Sequence, residues 1–334
     1  MRKKAWILAI LLFVAGATGW LWVAGWEPIQ NTLAFVNLKV QGGETRTSLP
    51  APMRRPWNRI HSWVYWLNGP RLDEIGRSRF ELAVIDYSAD GTGAREFRPE
   101  EIEALRHAGC ERRVLSYLSI GEAEDYRFYW QLPWRPGAPD WIVNANPDWP
   151  RNYPVRYWEP AWQGLIYQYL DRILAQGFDG VYLDRIDVYG ESYASGHEQD
   201  MVDFVHAIAR YARKRSPLGE DFAVVVQNAE ELAGKYPDYV AEVTGIAREE
   251  VYVRATNRPT SSVERARAEA YLDSFRQRSR GNLVLSVDYT DRPELVREAY
   301  ERAGARGYVP YVADVELDRI RIYRGFEPVC PSAR

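Results

Sequence analysis

A chain of 334 residues, 46% apolar and 27% charged, carries enough hydrophobic material for a full core and is neither a disordered polymer nor a fibrous repeat. Its formal charge of −3, from 43 basic against 46 acidic residues, removes the broad cationic field of a non-specific nucleic-acid binder, so no nucleic-acid partner is expected. Two cysteines and four histidines are too few for the common structural zinc clusters, and neither a metal nor another cofactor is expected.

In chain order, Arg2, Lys3 and Lys4 precede an uncharged, largely apolar run from Ala5 to Trp26, the arrangement of an export signal. Twenty-two residues as a helix also reach across a hydrocarbon core of ~30 Å. Trp20, Trp22 and Trp26 stand where interfacial aromatics lie. Residues 1–26 are therefore read as a hydrophobic helix ahead of the folded domain, either a cleaved signal or a membrane anchor, with the remainder exported or extracytoplasmic. In an oxidising compartment Cys110 and Cys330 could pair. Residues 27–61 mix polar residues with Gly42, Gly43, Pro50, Pro52 and Pro56 and read as a linker.

From residue 62 to the end, a charged segment of helical period repeatedly runs to a glycine and is followed by a short apolar run. Glu100 to Gly109 precedes Val114–Leu118, and Trp162 to Gly177 precedes Gly180–Asp184. Ser262 to Gly281 precedes Leu283–Val287, and Pro293 to Gly304 precedes Tyr308–Val312. The glycine is expected to be the left-handed residue that ends each helix, and the apolar run a strand buried on both faces. Pro99, Pro160 and Pro293 sit at or just ahead of a first helical turn, where a missing amide proton costs nothing. Adding Trp63–Trp66, Leu82–Asp86, Phe222–Val226 and Gly245–Glu249 makes eight strands, the count of a (β/α)8 barrel, the TIM barrel fold. An open doubly wound sheet is the alternative, and the lack of a glycine-rich phosphate turn after any strand counts against it.

In such a barrel, chemistry belongs at the carboxyl ends of the strands. Six of the eight ends carry acids, at Asp86, Glu122, Asp184, Glu249 with Glu250, Asp288 and Asp314. Clustered carboxylates raise one another's pKa values, which lets one stay protonated while another is ionised. The connection after the third strand, residues 119–159, far exceeds an ordinary βα loop. It holds Trp130, Trp134, Trp141, Trp149 and Trp158, none of the chain's 13 tryptophans lying beyond Trp162. About half of the five are expected to form a private core of this loop, and the others to flank a flat, hydroxylated ligand, a sugar. Paired carboxylates in an aromatic cleft, with no Ser-His-Asp pattern and no thiol nucleophile in evidence, indicate glycoside hydrolysis.

Residues 117–127 (YLSIGEAEDYR) with Tyr129-Trp130, residues 177–184 (GFDGVYLD), and Gln227-Asn228 followed by Glu230-Glu231-Leu232 together resemble glycoside hydrolase family 114, the endo-α-1,4-polygalactosaminidases and the hydrolase domain of Pel exopolysaccharide systems. The resemblance, from about Ser62 to Ile320, implies a (β/α)8 glycosidase domain over residues 62–334 and an amino-sugar polysaccharide as substrate. It implies Asp184 and Glu249 as the catalytic pair, with Glu250 and Glu242 as alternatives to Glu249, since alternation at a strand end turns only one of two adjacent glutamates to the mouth. Asp86, Tyr87, Tyr117, Glu122, Trp158, Asp187, Asn228, Asp288 and Tyr289 are then expected to bind substrate. A catalytically inactive carbohydrate-binding barrel, or a glycosidase for another glycan, would share most of these features.

Overall fold

The computed structural model describes residues 54–330 apart from Thr256, so the segment read as signal or anchor and most of the linker lie outside the described residues. Strands β1 (Trp63–Trp66), β2 (Leu82–Ile85), β3 (Arg113–Ser119) and β4 (Gly180–Asp184) are followed by β5 (Ala223–Gln227), β6 (Gly245–Glu249), β7 (Leu283–Tyr289) and β8 (Val309–Ala313). They form one sheet in chain order with every ladder parallel. The intervening helices are α1 (Leu72–Arg77), α2 (Pro99–His107), α3 (Pro160–Gln176), α4 (Glu198–Arg215), α5 (Leu232–Lys235), α6 (Pro237–Glu242), α7 (Ser262–Arg278) and α8 (Pro293–Ala305). This is the (β/α)8 barrel that the repeating units predict.

Parallel strands buried on both faces need helices outside and side chains inside. The inside here is aromatic. Trp63 and Tyr65, two residues apart on β1, share a face and stack at 5.6 Å, and Tyr182 and Tyr311 pack on them from β4 and β8. The seam between β8 and β1 is bridged by the Trp63 indole, whose N–H donates to the Val309 carbonyl at 2.9 Å. Above it, the Leu67 and Asn68 amides both donate to the Leu317 carbonyl at 3.0 Å.

Among the described residues no helix follows β8. An extended tail takes its place, packing Tyr323 and Phe326 against Tyr300 of α8 and ending in a disulfide between Cys330 and Cys110, which precedes β3. The pairing considered from sequence is thus present, across 220 positions of chain.

Two local expectations change. The end of the stretch read as linker is packed: Trp57 is buried, donates its indole N–H to the Asp221 carbonyl at 3.2 Å and lies under the Arg113 guanidinium. Gly109 and Gly177 are left-handed as expected, at φ of 72° and 79°, but Gly281 and Gly304 are not. Asn282 takes that conformation beyond α7, and α8 runs through Gly304 so that Gly307 takes it instead. A glycine within one turn of a helix end marks the boundary only to about that precision.

Candidate active site

The carboxyl ends of β4, β5 and β6 are each closed by a residue in the left-handed region, Arg185 (φ 62°), Asn228 (φ 59°) and Glu250 (φ 55°). Such backbone is costly for non-glycine residues and concentrates at functional sites. It turns the chain sharply after Asp184 and Glu249, which leaves both carboxyls on one open cavity of about 720 Å³ at the mouth of the barrel.

Each acid is held by a buried phenol. Tyr117 of β3 donates its hydroxyl to Asp184 Oδ2 at 2.7 Å, and the Arg185 amide donates to Oδ1 at the same distance. Tyr289 of β7 donates to Glu249 Oε1. Asn228 bridges between strands, its Nδ2 donating to Glu249 Oε2 at 3.3 Å and to Asp187 Oδ2 at 3.4 Å while its Oδ1 accepts from the Glu249 amide. Burial, reinforced by the nearby Glu249 charge, pushes the Asp184 carboxyl up to about 7, against the opposing pull of the Tyr117 hydroxyl.

The walls are charged. Nine carboxylates and four guanidiniums line the cavity. Arg127 lies buried between Asp86 Oδ2 at 2.6 Å and Glu124 Oε2 at 2.5 Å, and burial lifts Asp86 to about 6 despite that partner. Glu122 accepts from Arg185 at 2.9 Å and from Asn146 Nδ2 at 2.8 Å. Gly121, just before it, passes so close to β4 that an added Cβ would lie 2.3 Å from the Arg185 carbonyl oxygen. Gly121→Ala is therefore expected to lower stability by about 1–3 kcal/mol and to displace the turn that carries Asp184, as thermal unfolding measured beside activity will show.

Of the residues expected to bind substrate, Asp86, Tyr117, Glu122, Asp187, Asn228 and Tyr289 line this cavity together with Asp184 and Glu249. Tyr87, Asp288 and Trp158 do not. Asp288 precedes Tyr289 within β7, so strand alternation sends it to the opposite side, while Tyr87 lies beyond the end of β2. Tyr87 packs edge-on against Tyr169 at 4.6 Å. Asp288 is wholly buried, accepts from the Tyr252 and Val253 amides at 2.7 Å, and is lifted by burial to about 7. Trp158 stacks on His197 at 3.5 Å.

The aromatic connection departs further from expectation. Trp130, Trp134 and Trp141 form an edge-on chain that ends on Trp162, so four of its five tryptophans are consumed by packing and Trp149 alone reaches the cavity. Alternation also fails where it was invoked, because Glu250 leaves strand geometry at φ 55° and lines the cavity beside Glu249. Glu242 does not line it and pairs with Arg213.

The four arginines of the cavity escaped the sequence reading, which followed acids and aromatics. A signal existed: packed carboxylates require buried cations, and Arg127, Arg185 and Arg248 lie within or beside the acidic motifs. Among the described residues no cluster of histidine, cysteine and acids is arranged to hold a metal ion.

Two carboxyls that line one cavity at the carboxyl end of a (β/α)8 barrel, each fixed by its own hydroxyl donor, are the arrangement of the barrel glycoside hydrolases. The chain belongs to glycoside-hydrolase family GH114, whose family model matches residues 43–327. It is 41% identical over 276 residues to an uncharacterized protein of Deinococcus radiodurans, covering 80% of this chain and 85% of that one. An uncharacterized protein of Thermotoga maritima is 37% identical over 283 residues, again covering 80% and 85%. Among solved structures, the glycoside hydrolase domain of PelA from Pseudomonas aeruginosa superposes with a TM-score of 0.58 at 19% identity, covering 78% of this chain and 97% of that domain. Aspergillus fumigatus Ega3, solved in complex with galactosamine, gives 0.57 at 18% identity with 81% and 96% covered. At these identities the two structures speak for the fold.

Proposed function

We propose that this protein cuts within chains of α-1,4-linked, partly deacetylated galactosamine, with Asp184 and Glu249 as the catalytic pair. The observation that carries this reading is the Asp184–Glu249 arrangement, two carboxyls on one cavity in which burial and the nearby Glu249 charge raise the Asp184 carboxyl to about 7, the range a general acid needs near neutral pH. The proton of that carboxyl goes to the glycosidic oxygen as the C–O bond breaks, and the ionised partner attacks the anomeric carbon or removes a proton from the incoming water. The excess of carboxylates over guanidiniums in the cavity favours a cationic amino sugar. The galactosamine complex of the structurally similar Ega3 supports the same sugar. The cleft-like cavity and the apolar run at Ala5–Trp26 fit an enzyme exported to, or anchored outside, the membrane and acting on polymer there. The Cys110–Cys330 disulfide supports an oxidising compartment.

The test is incubation with partly deacetylated poly-α-1,4-galactosamine, followed by mass spectrometry of the products. A ladder of short oligosaccharides is expected. Release of monosaccharide alone would exclude internal cutting, and retention of the polymer without cleavage would favour a binding barrel.

Tyr117 gives a sharper check. Its hydroxyl stabilises the ionised form of Asp184, so Tyr117→Phe raises the Asp184 pKa further. The high-pH limb of kcat/KM, where the pair loses its last proton, is expected to move upward by roughly half a unit to one unit. A pH–rate profile of the two proteins reads this directly.

A further inference from the structure

Trp149 is the one tryptophan of the connection between β3 and α3 that packing leaves over. Its residue is 52% exposed, its ring meets no aromatic partner among the described residues, and it lines the rim of the cavity. An exposed indole at the edge of a polar cleft offers a flat apolar face, which a pyranose ring with one apolar face can cover.

The turn that presents it is built to stay in place. Pro147 and Pro150 flank Asp148-Trp149, which restricts the backbone on both sides. The Asn146 side-chain oxygen accepts from the Asp148 and Trp149 amides at 2.9 and 3.2 Å, and the Trp149 carbonyl accepts from the Asn152 amide at 3.2 Å. The Asn146 amide group donates to Glu122 at 2.8 Å, and Glu122 is bound by Arg185, the residue that follows Asp184. A continuous set of hydrogen bonds and an ion pair therefore runs from the catalytic strand end to the rim turn. A backbone held in this way adds little ordering cost when a ligand stacks on the indole it presents.

We infer that Trp149 is the stacking platform of an outer sugar subsite, taking a ring of the polymer beyond those that contact Asp184 and Glu249. The inference rests on the polysaccharide reading above. Its position on the β3 side of Asp184, while Glu249 stands on β6, makes the platform serve one arm of the bound chain. Only oligomers long enough to reach it gain from it.

The experiment compares wild type with Trp149→Ala and Trp149→Phe on defined α-1,4-galactosamine oligomers of three and eight units. The ratio of kcat/KM for the octamer over the trimer is expected to fall about tenfold in Trp149→Ala and to be largely restored in Trp149→Phe. A second measurement does not depend on cleavage: octamer titrated into Asp184→Asn protein should quench indole fluorescence, and most of that quenching should vanish when Trp149→Phe is added to the same background. Equal losses on both oligomers, or fluorescence changes that persist without Trp149, would overturn the platform. If wild type cuts neither oligomer yet shows Trp149-dependent quenching, the platform stands and the hydrolytic reading falls.

Discussion

Asp184→Asn and Glu249→Gln are each expected to lower kcat on galactosamine polymer by at least about 10³-fold, roughly 4 kcal/mol of transition-state stabilisation, while leaving the barrel folded. Both substitutions keep the shape and the hydrogen-bond acceptor for Tyr117 or Tyr289, so lost activity reports lost ionisation and proton transfer rather than collapse. Stability supplies a second, opposite readout. Asp184 has a folded pKa of about 7 against an ordinary value of 3.8, so the native state binds more protons than the unfolded state between those values. Its contribution therefore becomes more destabilising as pH rises from about 4 to about 7 and stays so above. Asp184→Asn removes that cost, and the variant is expected to unfold at higher temperature than wild type at pH 8, by the equivalent of about 1–3 kcal/mol, with the advantage shrinking toward pH 5. Calorimetry at the two pH values checks it. A variant that is inactive but no more stable at pH 8 would show that Asp184 is not the group held protonated by burial.

Loss of the Cys110–Cys330 disulfide is expected to lower stability by about 3–5 kcal/mol, the range for closing so long a stretch of chain. For a domain of this size that corresponds to a fall of roughly 5–9 °C in the unfolding midpoint. The bond anchors the tail that stands where a helix after β8 would pack, and the same tail supplies the Leu317 carbonyl that ties down the loop after β1. A double Cys110→Ala, Cys330→Ala variant should therefore lose stability and, through Leu317 at the cavity rim, show loosened protection of the Leu67 and Asn68 amides in hydrogen exchange. A variant as stable as wild type would show that tail packing through Tyr323 and Phe326 holds the seam by itself.

The legible parts of the site share a physical basis. Asp184, Glu249 and Asp86 could be found because a parallel strand buried on both faces is a short apolar run with an abrupt end, and a barrel places every such end at one mouth. Tyr117 and Tyr289 line the cavity as expected, and only the folded chain shows that their hydroxyls bond Asp184 and Glu249, which stand on other strands. That Asp288 and Tyr289 face opposite ways is readable from period-two alternation within β7, whereas the place of Trp158 is not, because its partner His197 is 39 positions away and meets it only in the folded chain.

Local pattern by itself determined the eight strands, their parallel order, the helices α2, α3, α7 and α8 and the acids at the strand ends, because each depends on periodicity and on turn chemistry within a few residues. Tertiary structure alone decided which acids share the cavity, that Glu250 turns into it, that Arg127 and Arg185 hold the surrounding carboxylates, and that Trp149 remains unburied. Those outcomes depend on contacts between strands and loops far apart in the chain, and on burial, which sets the charge state of a carboxyl and cannot be read from its neighbours in sequence.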